Sequence, residues 1–142
     1  MPISVTLKLG ALEVNYPLQN TDSSGNVQVS TSGLPAGGYA WRAKGPRNLA
    51  TSGFVDITPN VCVVTVDMGL MKAGDANNDN VVSILDFNIF KATNGKGCGD
   101  IGYDGRADFN NDCVVNVLDF NLLKSNLGQT GAPSVRPSGK TK

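Results

Sequence analysis

The sequence predicts an α+β chain of two modules, a small antiparallel β-sandwich over residues 1–70 and an α-helical module of two loop–helix repeats over residues 74–128. Three observations support this division. Apolar and polar residues alternate through much of the first module, as they do in half-buried strands. A segment of 20 residues then recurs 33 positions later, and a fixed period indicates a repeated structural unit. Finally, aspartate is concentrated in the second module.

The first module begins with a predicted hairpin. Residues 3–9 and 12–18 alternate in polarity, and Gly10-Ala11 between them suits a two-residue type II′ turn. Further short strands are expected at residues 27–30, 39–44, 54–58 and 61–68. Because a module of about 70 residues buries only a small core, we expect a neighbouring module or partner to help stabilise it.

The composition argues against several classes of function. The chain has 12 basic and 12 acidic residues and no histidine. A zero net charge argues against nucleic-acid binding, and no apolar run reaches the roughly 18 residues that membrane insertion requires. The lack of histidine removes most zinc sites and the Ser–His–Asp triad. With no serine nucleophile elbow either, we do not expect an enzyme.

The repeat consists of residues 74–93, GDANNDNVVSILDFNIFKAT, and residues 107–126, ADFNNDCVVNVLDFNLLKSN. The two copies are identical at 11 of 20 aligned positions, which chance does not produce in so short a window. Each copy is predicted to contain a twelve-residue loop followed by an apolar helix. Residues 74–127 also carry eight Asp against four basic residues, so the repeat is expected to bind cations.

Each loop offers oxygen atoms at positions 1, 3, 5, 9 and 12, and the backbone carbonyl at position 7. In the first loop these positions are Asp75, Asn77, Asp79, Val81, Ser83 and Asp86. In the second they are Asp108, Asn110, Asp112, Val114, Asn116 and Asp119. Calcium takes about six to eight oxygen ligands in a flexible shell. The pattern therefore predicts two calcium ions, and repulsion among the carboxylates should couple folding to ion binding.

Two alternatives to calcium fit the loop pattern less well. Asp/Asn/Gly runs also form solvated turns with Asx caps, but two copies in register, each followed by a helix, favour ion binding. Magnesium prefers fewer protein ligands and a rigid octahedron.

The loops also depart from the EF-hand pattern, which has Gly at position 6 and Glu at position 12. Here position 6 is Asn80 or Cys113, and since Cys tolerates a left-handed backbone less well than Asn, we expect the second site to be strained or weaker.

Apolar side chains are predicted to line one face of each helix. The residues are Leu85, Ile89 and Phe90 in the first helix, and Leu118, Leu122 and Leu123 in the second. We expect these faces to pack the two units together. Lys91 and Lys124 occupy equivalent late positions, where they either complement the helix dipole or border a binding surface.

Duplicated loop–helix units with Asp at position 12, and without a helix before the first loop, resemble the dockerin family in a form similar to type I. The resemblance covers residues 74–128. It implies two calcium ions, an extracellular or cell-surface location, and docking onto a cohesin domain of another protein.

The resemblance also implies a partner-binding surface at loop positions 10 and 11 and further along each helix. The matching residues are Ile84, Leu85, Lys91, Val117, Leu118 and Lys124. Cellulosomal dockerins often carry small hydroxyl residues at positions 10 and 11, whereas this chain has aliphatic ones, which favours a more apolar contact. The near-identity of the two copies would permit two docking orientations.

The first module, with TDSSGNVQVSTSGLPAGGYAWRAKGP, is similar to the prealbumin-like or carboxypeptidase-regulatory-like β-sandwiches. Such domains often have another strand before the point where this chain begins. Its absence would leave an open sheet edge that a neighbouring chain could pair with. No signal peptide is visible at Met1, so we expect a fragment of a longer secreted protein.

The three cysteines show no CxxC spacing, so a thiol zinc site or redox motif is not expected. Cys98 and Cys113 flank the start of the second repeat. An extracellular setting favours a disulfide between them, and two free thiols are the alternative. Cys62 is in phase with Val64 and Val66, so we expect a buried, unpaired cysteine there.

Two functions remain open. The chain is either an adaptor that docks its parent protein onto a cohesin-like partner, or a calcium-stabilised protomer that assembles with copies of itself into a fibre or surface layer. Self-assembly would use the open sheet edge and residues 129–142, whose Gly, Pro, Ser and basic residues are typical of a linker or tail.

Overall fold

The structure is a computed structural model that describes residues 1–61 and 63–134. The expected burial of Cys62, and the part of the expected tail beyond Ser134, lie outside these residues.

The chain divides into two compact units. The first, here called the sheet unit, contains Met1–Gly45, Thr51–Leu70 and the described residues from Ala132 onward. The second, here called the loop–helix unit, contains Pro46–Ala50 and Met71–Gly131.

Four antiparallel strands form the sheet unit in the order β2-β1-β3-β4. They are β1 Pro2–Leu9, β2 Leu12–Asn20, β3 Gly37–Lys44 and β4 Thr51–Ile57. The predicted hairpin is present, because Leu9 pairs with Leu12 and Gly10 has a φ of 57°, as the first central residue of a type II′ turn requires. This sheet, followed by two helices, confirms the predicted α+β class. The resemblance to prealbumin-like domains stays a prediction.

Two further segments were expected to be strands and are not. Residues 27–30 and the described part of 61–68 lie outside β1–β4. Both segments nevertheless line an apolar cleft together with Leu7 and Trp41. Alternating polarity indicates which side chains face apolar surroundings, but it does not indicate whether the backbone forms hydrogen bonds to a neighbouring strand. These segments therefore adjoin the sheet without joining its ladder.

Two short helices follow the predicted loops in the loop–helix unit. Helix α1 spans Ile84–Thr93, helix α2 spans Val117–Asn126, and a 3₁₀ turn spans Gly105–Ala107 between them. The buried apolar cluster of this unit consists of Leu49, Val82, Phe90, Ala107, Val115 and Leu123. Among the described residues, no helix is long and apolar enough to cross a membrane.

Phenylalanines and the predicted Leu123 form the inner faces of the two helices. The rings of Phe87, Phe90 and Phe120 lie 5.6 to 6.3 Å apart, centre to centre. The expectation that Leu85 and Leu118 pack inward is wrong, since they are 55% and 53% exposed. Both leucines lie in the first helical turn, whereas Phe87 and Phe90 share the inward face at the i, i+3 spacing.

The loop between β3 and β4 contributes to the loop–helix unit. The sequence places Pro46–Ala50 at a break within the first module, yet the structure groups it with the second. Leu49 is 3% exposed in the apolar cluster, and its amide donates to the carbonyl of Lys72 at 2.7 Å. Pro and Gly indicate where a chain turns, but not which surface the turn packs against.

Candidate metal centre

Three carboxylates converge in each loop. Oxygen atoms of Asp75, Asp79 and Asp86 all lie within 4.8 Å of one another in the first loop. The second loop brings together Asp108, Asp112 and Asp119 in the same way. Positions 1 and 12 are buried in both loops, with exposures of 0 to 1%, and position 5 is exposed. Each cluster therefore combines two buried carboxylates with one that faces solvent.

Backbone amides of the first loop hold the buried carboxylates in place. Asp75 accepts from the amides of Asp79 at 3.0 Å and Asn80 at 2.9 Å. Asp86 accepts from the amides of Asn77 at 3.0 Å and Ser83 at 2.7 Å. The loop is thus wrapped around its own carboxylates, which fixes where positions 1 and 12 meet.

The second loop repeats this arrangement. Asp108 accepts from the amides of Asp112 at 3.1 Å and Cys113 at 2.9 Å. Asp119 accepts from the amides of Asn110 at 3.2 Å and Asn116 at 2.9 Å. The same donors at the same loop positions show that the duplicated sequence forms a duplicated geometry.

Helix capping places the carboxylate at position 12. Ser83 and Asn116 are the N-cap residues of α1 and α2, and each forms a reciprocal capping box with Asp86 or Asp119 at position N3. A carboxylate in the first turn also interacts favourably with the helix dipole. The helices therefore hold the far side of each cluster.

The other expected ligand positions lie in the same loops. At position 3, the amide nitrogens of Asn77 and Asn110 donate to the carboxylates of Asp79 and Asp112 at 2.9 Å. At position 9, Ser83 and Asn116 act as N-caps. At position 7, Val81 and Val114 donate their amides to the position 5 carboxylates at 2.9 and 3.0 Å.

Both loops turn through a left-handed backbone at positions 4 and 6. Asn78 and Asn80 have φ values of 65° and 68°, and Asn111 and Cys113 have values of 62° and 70°. Asn adopts this region more readily than most residues, whereas Cys at position 6 of the second loop costs about 1 kcal/mol. The expected strain therefore lies at Cys113.

A disulfide joins Cys113 to Cys98. The amide of Cys98 also donates to the carbonyl of Cys113 at 2.8 Å. The segment between the repeats is therefore bonded, by a covalent bond and a hydrogen bond, to position 6 of the second loop. Both cysteines are exposed, so a reductant in solvent can reach them.

The hydrogen bonds around the loops follow the 33-residue period. The amide of Val82 donates to Gln129 at 2.9 Å, and the amide of Val115 donates to Lys96 at 2.9 Å. The donor moves 33 positions forward and the acceptor 33 positions back between the two bonds, so each copy of the repeat donates to the segment that follows the other copy. The repeat thus extends beyond the helices into residues 129–131, which the sequence places in the linker.

Tyr103 supports the second cluster, although the sequence pattern does not predict this role. Its hydroxyl donates to Asp108 at 2.8 Å. Partial burial, and then this hydrogen bond, raise the pKa of Tyr103, so the phenol stays protonated and keeps donating. Tyr103 lies between the two copies of the repeat, where the period gives no signal for it.

The guanidinium of Arg47 also reaches the second loop. It donates to the carbonyl oxygens of Gly105, at 2.8 Å, and Asp108, and to the side-chain oxygen of Asn111 at 3.3 Å. Arg47 precedes Asp108 by 61 residues, and no local pattern in the sequence connects them.

The residues expected to contact a partner are all exposed. Ile84 and Leu85 are 63% and 55% exposed in the first turn of α1, and Val117 and Leu118 are 63% and 53% exposed in the first turn of α2. Lys91 and Lys124 are exposed in the last turn of each helix. Each loop is thus followed by an exposed aliphatic pair, which the core does not use.

The donor set of each cluster suits a hard divalent cation. The converging groups are carboxylates, flanked by amide, hydroxyl and carbonyl oxygens, with neither histidine in the chain nor a thiol in the cluster. Calcium prefers such oxygen ligands, whereas softer metals prefer nitrogen or sulfur. The arrangement fits a calcium-type site in each loop.

Residues 73–128 match the family model of the dockerin type I domain. This part of the chain is a dockerin type I domain. Dockerin domains bind calcium, and the two carboxylate clusters of this dockerin domain could hold such ions. No curated protein sequence matches the chain.

Two crystal structures similar to the chain are interface mutants of a type II cohesin–X–dockerin complex from Acetivibrio cellulolyticus. The N-terminal interface mutant has a TM-score of 0.62 and 18% identity, over 91% of this chain and 82% of that chain. The C-terminal interface mutant has a TM-score of 0.60 and 18% identity, over 91% of this chain and 83% of that chain. The likeness extends beyond the dockerin domain and shows a shared fold.

Proposed function

We propose that the chain is a non-catalytic, extracellular calcium-binding module that docks its parent protein onto a cohesin-like domain. The dockerin match supports the class of function. The similar structures come from cohesin–X–dockerin complexes, which supports the class of partner. The observation that carries the proposal is the pair of equivalent carboxylate clusters, each directly followed by a helix with an exposed aliphatic pair.

Each loop takes one calcium ion in this proposal. The ligands are the side chains at positions 1, 3, 5, 9 and 12 and the carbonyl of Val81 or Val114 at position 7. Bound calcium supplies positive charge that offsets three carboxylates packed within 4.8 Å. The buried aspartates at positions 1 and 12 join the start of the loop to the first turn of its helix, so ion binding and helix formation stabilise each other.

The docking surface consists of Ile84-Leu85 and Val117-Leu118, with Lys91 and Lys124 at its border. Four aliphatic side chains more than half exposed are costly to leave in water and are suited to an apolar recess. Each carboxylate cluster includes an aspartate from the first turn of its helix, next to the aliphatic pair. Bound calcium would therefore hold each pair in place. Because the two halves are equivalent, either pair can occupy the same recess, which gives two orientations.

Self-assembly is the second candidate. Strand β4 is an edge of the described sheet, and Phe54 on this strand is 84% exposed. An exposed edge with a large apolar side chain can pair with another chain. Self-assembly through β4 would give oligomers whose size depends on protein concentration, without any cohesin.

Sedimentation of the purified chain, alone and with a cohesin domain, tests these functions. We expect a monomer that forms a one-to-one complex in calcium and separates when calcium is chelated. Larger species that grow with concentration in the absence of cohesin would support self-assembly instead. Failure to bind any member of a panel of type I and type II cohesin domains in calcium would contradict the docking proposal.

A further inference from the structure

We propose that Arg47 is a positioning residue of the second calcium site. This inference rests on the proposed binding of calcium. Arg47 lies in Pro46–Ala50, the segment between β3 and β4 that belongs to the loop–helix unit, and outside the 73–128 dockerin match. It contributes no ligand, and it acts by holding the backbone that presents Asp108.

The contacts of the Arg47 side chain surround the entry to the second loop. One guanidinium nitrogen donates to the carbonyls of both Gly105 and Asp108. Gly105 begins the 3₁₀ turn Gly105–Ala107 that leads into the loop, and Asp108 directly follows this turn. The second terminal nitrogen of the guanidinium donates to the side-chain oxygen of Asn111 at 3.3 Å. Asn111 is position 4 of the loop, where the backbone is left-handed. A single planar group thus fixes the chain on both sides of the first ligand.

The backbone of the same segment contacts the first loop. The carbonyl of Arg47 accepts from the amides of Gly74 at 3.1 Å and Asp75 at 3.2 Å. The amide of Ala50 donates to the side-chain oxygen of Asn80 at 2.8 Å. A side-chain substitution at Arg47 therefore removes only the contacts to the second loop. This separation makes the proposal specific to one site.

Charge and position predict opposite effects when the Arg47 side chain is removed. A positive charge beside a cation site repels the cation, so charge alone predicts tighter calcium binding by Arg47→Ala. A group that orients a ligand supports binding, and losing such a group typically lowers metal affinity about 10- to 100-fold. Because Arg47 donates to two carbonyls and an amide oxygen, we expect the positioning effect to dominate.

Arg106 provides a matched control in the same unit. It is exposed and pairs with Asp104 at 2.7 Å, and its hydrogen bond lowers the pKa of that carboxyl. Asp104 is not one of the converging carboxylates. The Arg106 guanidinium donates to Asp104 at the start of the 3₁₀ turn and not to the loop itself, so Arg106→Ala tests the effect of removing a nearby positive charge.

Calcium titration of the full chain against a competing chelator tests the proposal. We expect Arg47→Ala and Arg47→Lys to weaken one of two sites about 10-fold, since Lys keeps the charge but not the planar fork. Arg106→Ala should leave both sites unchanged or slightly tighter. In an Asp112→Ala background, where the second site is lost, adding Arg47→Ala should leave the remaining site unchanged. Circular dichroism in saturating calcium confirms that each variant is folded.

Unchanged or tighter binding by Arg47→Ala would overturn the positioning role. Equal weakening of the remaining site in the Asp112→Ala background would also overturn it, because Arg47 would then act on the whole unit. If the unaltered chain binds no calcium, the proposed function itself fails. If instead both sites bind calcium and neither affinity changes when Arg47 is substituted, only the positioning role fails.

Discussion

Asn80 and Cys113 occupy equivalent positions 33 residues apart, and each accepts one backbone hydrogen bond at its carbonyl. Asn80 accepts from the amide of Gly131 at 2.9 Å, and Cys113 accepts from the amide of Cys98 at 2.8 Å. Cys98 and Cys113 are also joined by a disulfide. The two loops therefore share one backbone geometry, but only the second is joined to the preceding segment by a disulfide at this position.

Loss of the disulfide should destabilise the second loop more than the first. The bond closes a loop with a sequence separation of 15, for which chain entropy predicts about 3 kcal/mol of stabilisation. We expect the Cys98→Ser/Cys113→Ser double variant to lose about this much free energy of unfolding, measured by urea denaturation in calcium. It should also bind calcium more weakly at one of the two sites.

Treatment of the double variant with a reductant provides the control. The reductant should lower the stability of the unaltered chain and have no further effect on the variant. If both respond equally, the reductant acts elsewhere and the Cys98–Cys113 disulfide does not account for the effect.

Neutralising a buried carboxylate should remove one ion. Asp86 and Asp119 are fully buried and each accepts backbone amides of its loop. Asp86→Asn keeps the size of the side chain but loses a negative charge and an acceptor, so we expect about one calcium per chain instead of about two. Isothermal calorimetry measures this stoichiometry, and Asp119→Asn should give the same result at the other site.

Asp100→Asn is the matched control for these variants. Asp100 lies in the same unit and its carboxylate accepts from the amide of Gly97 at 2.8 Å, but it belongs to neither cluster. It should retain both ions. Loss of an ion in this variant would show that net charge, rather than the two clusters, determines calcium binding.

How much of this site the sequence predicts depends on the range of each interaction. The carboxylates of Asp75, Asp79 and Asp86 converge within a single loop, so their spacing alone identifies them. Arg47 and Leu49 reach the loop–helix unit from the segment between β3 and β4. Such distant pairings leave no periodic pattern, because they depend on tertiary packing rather than on local conformation.

The strands illustrate the same limit. Leu9 and Leu12 flank a two-residue turn and pair as expected, because turn chemistry sets the register of a hairpin. Residues 61–68 alternate equally well but do not join the sheet where they are described. Alternating polarity indicates that one side of a segment faces apolar surroundings. Whether the segment can pair with the edge of a sheet depends on the tertiary fold.

Charge introduced into both aliphatic pairs should abolish docking, while charge in one pair should not. Leu85 and Leu118 are more than half exposed, so Leu85→Asp and Leu118→Asp leave the core intact. If each orientation uses one pair, a single variant loses half of its docking modes and binds a cohesin domain about twofold more weakly. The double variant should lose at least about 2 kcal/mol, as expected for an interface anchor, measured by calorimetry in calcium.

Ile101→Asp controls for the added charge, because Ile101 is 96% exposed and lies between the repeats. It should bind cohesin as the unaltered chain does. If either single variant abolishes binding, docking uses one orientation only, and the proposal of two orientations is wrong.

Truncation of Leu49 should destabilise the dockerin domain from outside its matched segment. Leu49 is 3% exposed in the same apolar cluster as Val82, Phe90 and Leu123, although the family match begins at residue 73. Leu49→Ala leaves a cavity in that cluster and should cost about 3 kcal/mol. Because both α-helices lie in the loop–helix unit, urea denaturation followed by helical circular dichroism in calcium reports on this unit.

Ile101→Ala removes a similar side chain from the surface of the same unit and should change stability by no more than about 0.5 kcal/mol. If Leu49→Ala behaves like this control, the cluster does not depend on the β3–β4 loop. If it is destabilised as expected, a fragment restricted to residues 73–128 lacks one of its core side chains, and it should unfold at lower urea concentration than the full chain.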